Sequence, residues 1–254
     1  MNRHTILGFI VVAAVLAGGF VAYLWHGPIP APGAAALTGG GALPHTEHPL
    51  GPASDEPLPA LADSDGPLAS AIAELLQSAA LPDAFFPTQL AHRLVATVDN
   101  LPREQIASPA RLLQPASGSI AVDEHDGALA LAAANSERYA RYLDILRRTD
   151  SQEAVALYRR FYPLFQQSYE DLGYPGHYFN DRVVEAIDNL LATPDVAGPV
   201  PLVRPSVMYR FADPSLESLS AGQKALLRLG HDGALEVKTR LRAIRALIVA
   251  QPHP

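Results

Sequence analysis

Asp181, Glu185 and Asp188 recur at steps of four and three residues, which sets three carboxylates on one face of a helix. Grouped in this way they can pair with arginines, hold a cation, or supply the acid and base of glycoside cleavage if a further carboxylate stands nearby. Glu170 and Asp171 add to that local density. Upstream, Tyr158, Phe161, Tyr162, Phe165 and Tyr169 recur at three- and four-residue steps, and Tyr174 and Tyr178 lie in and just after a loop marked by Gly173, Pro175 and Gly176. Such a stripe of rings is either a core whose hydroxyls are bonded at its edge, or a groove that stacks sugars or a peptide. On the groove reading, Tyr158, Tyr162, Tyr169, Tyr174 and Tyr178 are the ligand-binding residues.

Two further clusters invite a metal and lack the parts to hold one well. His45 and His48 flank Glu47 as HTEH in a Pro- and Gly-rich stretch, whereas a preformed site needs ordered geometry. The acidic run Asp123-Glu124-His125-Asp126-Gly127 has neither the alternating oxygen ligands nor the distal Glu of a calcium loop, and reads as a hairpin tip. Cys is 0, which excludes disulfides, thiolate nucleophiles and Cys-ligated metal. The sequence contains no phosphate-cradling G-x-x-x-x-G-K-[ST], no G-x-S-x-G elbow and no H-E-x-x-H, so no catalytic residue, metal or cofactor is assigned. The net charge of −7 argues against a general nucleic-acid binder.

The elements that must position these residues begin with an uncharged run, Thr5 to Leu24. At 1.5 Å rise per residue, about 20 residues span a hydrocarbon core of roughly 30 Å. Arg3 precedes the run, Tyr23 and Trp25 sit at its end, and no Lys or Arg follows until Arg93, a bias that keeps the N-terminus in the cytoplasm. A cleaved signal peptide competes with this reading, but its apolar stretch runs about 7–15 residues. Residues 1–26 are therefore expected to be a single transmembrane anchor, and residues 27–64, rich in Pro, Gly and Ala, a disordered linker.

From residue 65 to 250 the signals are those of a mainly α, multi-helix globular domain with one small β-hairpin. Asp65 is expected to cap a helix to about Ser78, and Leu90, Leu94, Val95 and Val98 form an apolar face that ends at Leu101-Pro102. Short β-favouring runs, Ser119–Val122 and Ala128–Leu131, flank the acidic tip. Asn135 or Ser136 should cap a helix through Arg148, Asp150 with Glu153 a longer one that Pro163 kinks or restarts, and Asn180 a third. Residues 193–205 read as a Pro-rich crossing, after which Asp213-Pro214 and Ser220 with Gln223 mark two more starts. The last helix pairs an apolar face, Val237, Leu241, Ile244 and Ile248, with a basic stripe of Lys238, Arg242 and Arg245. That stripe is expected at the surface.

Four blocks carry a family resemblance: LPALADSDGPL (58–68), LVATVDNLPRE (94–104), LYRRFYPLFQQSYEDLGYPGHYFNDRVVEAIDNLLATP (157–194) and YRFADPSLESLSAGQKALLRLG (209–230). Over nearly all of residues 58–247 the chain resembles a bacterial family, domain of unknown function 3014. The resemblance implies a Gram-negative envelope protein with an N-terminal membrane helix, and it carries over no activity and no site residue. Together these readings give an expected role: a single-pass inner-membrane protein whose body, in the periplasm, binds or scaffolds an envelope protein or glycan. The alternative is an envelope glycan hydrolase using Glu170, Asp171, Asp181, Glu185 and Asp188.

Overall fold

The computed structural model describes residues 46–50, 56–75, 85–105, 111–113 and 120–249. The expected anchor, residues 1–26, lies outside them, as does the linker up to residue 45. No helix among the described residues is long and apolar enough to cross a membrane.

After a 3-10 turn at Leu61–Asp63, nine helices occur among the described residues: α1 (Asp65–Leu75), α2 (Leu90–Asn100), α3 (Asn135–Arg138), α4 (Ala140–Arg148), α5 (Ser151–Asp171), α6 (Phe179–Leu191), α7 (Pro214–Glu217), α8 (Ala221–Arg228) and α9 (Gly230–Val249). Helix α5 is the hub, packed against α2 and α9, while α6 closes against α9, α2 and α8. The apolar faces read from spacing meet in one core: Leu90, Leu94, Val95 and Val98 of α2, and Val237, Leu241, Ile244 and Ile248 of α9, are all buried there.

Local chemistry explains most helix starts. Asp150 accepts from the amides of Gln152 and Glu153, Asp213 from that of Ser215 with Pro214 in the first turn, and Ser220 with Gln223 makes a full capping box. Three expected caps are overturned by longer-range bonds. The Asp65 carboxylate serves α2, accepting from the amides of Gln89 and Leu90, each at 2.7 Å. Asn135 caps nothing: its side chain bonds both main-chain groups of Ala121 and the carbonyl of Ala132, and the helix expected to run through Arg148 breaks at Tyr139 into α3 and α4. Asn180 lies inside α6, whose N-cap is Tyr178. Pro163 does not end α5, which runs unbroken from Ser151 to Asp171. Its ring faces solvent, where water can serve the carbonyl left without a donor.

The hairpin is present and is part of a larger element. Strands β1 (Val122–His125) and β2 (Ala128–Leu131) pair antiparallel about Asp126-Gly127, both at positive φ, so the first strand runs three residues further than its β-favouring run. Two more strands, β3 (Pro201–Val203) and β4 (Arg210–Phe211), extend it to a four-stranded antiparallel sheet in the order β1-β2-β3-β4. Such two- and three-residue strands, one opening on proline, are too short to leave a period in the sequence. They build a second small core of Leu131, Val200, Leu202, Phe211, Leu216 and Leu227 against α7 and α8.

Part of the stretch expected as linker is docked onto the body. Leu50 is buried in the main core, Leu58 and Leu61 pack against it, and Glu56 reaches Arg160 at 2.6 Å.

Candidate functional site

Of the candidate tyrosines, Tyr158 and Tyr169 of α5 are buried, while Tyr162 of α5 and Tyr174 and Tyr178 of the loop before α6 are half-buried. Tyr158 is 0% exposed; it stacks on Phe165 with centroids 5.9 Å apart, meets Tyr162 edge-on at 5.6 Å, and lies 6.5 Å from Phe179. Tyr169 stacks on Tyr174 at 4.6 Å, and Tyr178 lies 5.3 Å from Tyr162. The hydroxyls are engaged from within. Tyr158 donates to Asn180 Oδ1 (3.0 Å), Tyr162 donates to Gln166 Oε1 (2.9 Å), Tyr174 accepts from Arg103 (2.6 Å), and Tyr178 accepts from the Leu50 amide (3.1 Å). With four of the five hydroxyls bonded to the fold and the rings packed on one another, the cluster is arranged as the edge of the core, with Tyr158 and Tyr169 inside it.

Burial raises the pKa of four phenols, because a phenolate cannot be solvated there. It pushes Tyr158 and Tyr162 well up and raises Tyr139, and burial followed by the charge of Asp99 pushes Tyr169 up to about 12. A raised folded value stabilises the fold fully below the unfolded value of about 10, and that contribution is lost as pH climbs from there through 12. Alkaline titration should therefore show these four of the nine tyrosines ionising only as helical circular dichroism is lost. Nine phenols ionising freely near pH 10 in an intact helical protein would contradict the packing.

The acidic face is divided among three separate tasks. Asp181 accepts from the amides of Glu47 (3.2 Å) and His48 (2.7 Å). Glu185 pairs with Arg182 at 2.6 Å, and Asp188 grips Arg245 of α9 through both oxygens, at 2.5 and 2.8 Å. Of the neighbouring acids, Glu170 accepts from Gln166 (2.9 Å) and Asp171 faces His92 (3.5 Å). Each of these carboxylates is engaged with a different partner in the fold. Among the described residues no group of three or more His, Asp or Glu is arranged to hold a metal ion; His45 of the HTEH motif lies outside them.

Two buried charges escaped the sequence reading. Asp99, 5% exposed, receives Arg182 Nε at 3.0 Å and Arg103 Nη2 at 2.8 Å, and its main-chain carbonyl accepts from Arg182 as well. Lys238, placed by its spacing on a basic surface stripe, is 2% exposed. Its ammonium donates to the Thr193 carbonyl and to Asp195 Oδ1, pinning the chain that leaves α6. That hydrogen bond, with the lysine charge, holds the Asp195 carboxyl below its ordinary value. Amphipathic spacing shows which face a residue takes and gives no sign of a carbonyl waiting beneath it.

Among the described residues a large hollow lies where β2, α3, α4, residues 194–200 and the α8–α9 junction meet. It is a cleft of about 620 Å3. Leu131, Leu143, Leu227 and Leu229 form its buried floor, and Asp123, Glu137, Asp195, Asp232, Arg147 and His231 its exposed rim. Gly230, at φ +79°, makes the turn that brings the first residues of α9 to its edge. Arg147 is already held by Glu236 through both oxygens and Asp195 by Lys238, and buried Arg228 also lines the cleft, so the acidic character of the rim comes from Asp123, Glu137 and Asp232. An apolar floor under an acidic rim suits a basic polypeptide segment with an apolar anchor. Nothing in the sequence joins these residues, which come from five separate stretches.

A family model described as "Protein of unknown function (DUF3014)" matches residues 90–245. The match includes α2 to α8, most of α9 and all of the cleft. No curated protein and no solved structure matches the chain.

Proposed function

The chain belongs to this family of proteins of unknown function, and from that premise we propose that it is a binding module of the bacterial envelope, anchored in the inner membrane by residues 1–26 with its helical body in the periplasm. The placement is supported by the uncharged run from Thr5 to Leu24 and by the absence of Lys and Arg between it and Arg93. The binding role is carried by one observation, the cleft of about 620 Å3 with its leucine floor and acidic rim. Its ligand is a basic polypeptide segment of an envelope partner, taken up by charge at the rim and by an apolar side chain on the floor. The acids of α6 are spent on helix and chain contacts, so this reading assigns the protein no hydrolytic step.

Photoreactive residues introduced in the full chain in place of Asp123, Glu137 or Asp232, all on the exposed rim, test the proposal in living cells. Adducts to a second polypeptide are expected, together with a C-terminal reporter that is active outside the cytoplasm. Adducts only within the chain itself would discard the binding site, and a reporter active only in the cytoplasm would discard the placement.

A further inference from the structure

Residues 46–50 cross the start of α6 as a strap held by its main chain. The Asp181 carboxylate accepts from the amides of Glu47 and His48, at 3.2 and 2.7 Å. Asn180 Nδ2 donates to the His48 carbonyl at 2.7 Å, and the Leu50 amide donates to the Tyr178 hydroxyl at 3.1 Å. Three neighbouring side chains of the body thus read four main-chain groups of the strap. The strap puts a single side chain into the core, Leu50, 5% exposed, while Glu47 and Pro49 face solvent.

We propose that the start of α6 is a peptide clamp, kept filled by the chain's own residues 46–50, and that it opens without unfolding the body. The receiving surface is built in advance. Asn180 is 0% exposed and its Oδ1 is fixed by the Tyr158 hydroxyl, which leaves its Nδ2 aimed at the strap whether or not a strap is there. Asp181 sits in the first turn of α6, where the unpaired amides of a helix start favour a carboxylate. Opening the clamp turns amide, carboxylate and hydroxyl groups toward water, which can satisfy each of them, and withdraws one leucine. Global unfolding exposes the whole core, so the clamp belongs to the low-energy end of local openings. The ion pair that follows, Glu56 with Arg160, is about half exposed on both sides and adds little resistance.

The clamp sets how far the body can travel. Once the strap leaves, the first tie to the body moves from Glu47 to Leu58, lengthening the maximum reach by about 40 Å at roughly 3.4 Å per residue. This consequence rests on the membrane-anchor reading, whereas the clamp itself does not.

Hydrogen exchange on the full-length chain tests it without a membrane or a cleft ligand. The amides of Glu47, His48 and Leu50 should exchange about ten-fold or more slowly than free chain. In Leu50→Ser all three should lose protection while the amides of α5 and α6 keep theirs, and a synthetic peptide of residues 46–50 should bind this variant and not the parent chain. Asp181→Asn placed in the same variant should weaken the peptide by about ten-fold, the equivalent of one charge-assisted bond. Tyr178→Phe, which keeps the ring and removes the hydroxyl that accepts from Leu50 and also meets Tyr162, should speed exchange at Leu50 and leave Glu47 and His48 protected. Free exchange of the three amides in the parent chain overturns the clamp. Loss of protection throughout α5 and α6 in Leu50→Ser overturns its independence, since the strap would then be an integral part of the body.

Discussion

Asp99→Ala is expected to cost about 3–5 kcal/mol of unfolding free energy, the range for removing one partner of a buried ion pair. The carboxylate is 5% exposed and is the meeting point of α2, α6 and the loop after α5, through Arg103, Arg182 and the Tyr174 hydroxyl. Burial pulls the Arg182 guanidinium down, but its bond to Glu185 and the charges of Asp99 and Glu185 outweigh this and leave it raised. Without Asp99 the burial cost stays and Glu185, on the solvent side, carries the compensation alone. Chemical denaturation of the full chain measures the loss. A matched Asp99→Leu, Arg182→Met double variant should recover most of it, because no buried charge then lacks a partner. If Asp99→Ala and the double variant unfold at the same denaturant concentration as the parent, the pair contributes nothing and this view of the network is wrong.

Tyr158→Ala should cost a similar amount, about 3–5 kcal/mol, for a different reason: it empties the largest volume in the middle of α5. The ring is 0% exposed and touches Tyr162, Phe165 and Phe179, so no water can enter without further opening. Against a typical domain stability of about 5–15 kcal/mol, either change approaches the threshold of folding. Tyr158→Phe separates packing from polarity. It keeps the ring, leaves Asn180 Oδ1 without its donor, and should cost about 1–2 kcal/mol. Thermal melting of the three proteins should rank parent, Phe, Ala in falling order. Equal melting of the Ala variant and the parent would mean that the ring is not core, and would return Tyr158 to the list of possible ligand contacts.

Spacing placed Tyr158, Tyr162 and Tyr169 on one stripe and left open whether the stripe faced inward; the covering faces come from α6, where Phe179 meets both Tyr158 and Tyr169. The acidic face of α6 was equally visible, yet Asp181, Glu185 and Asp188 meet a strap 133 residues away, an arginine one turn away and the last helix. Asp99 and Glu56, acids of the first half of the chain, likewise meet arginines of the second, Arg182 and Arg160.

What the amino-acid order determined by itself is whatever closes within a few residues. Asp150, Asp213 and Ser220 start their helices because the amides they accept from lie two or three positions ahead, and the apolar faces of α2 and α9 follow from a period of 3.6. The tertiary structure decided several polar side chains that had both a local and a distant option. Asp65, Asn135 and Asn180 each passed over a nearby cap for a main chain brought up by folding, and Lys238 passed over solvent for the Thr193 carbonyl. A buried amide or carbonyl without a partner costs more than an exposed helix end served by water, so the distant bond wins at these four positions, and only the fold shows where that is.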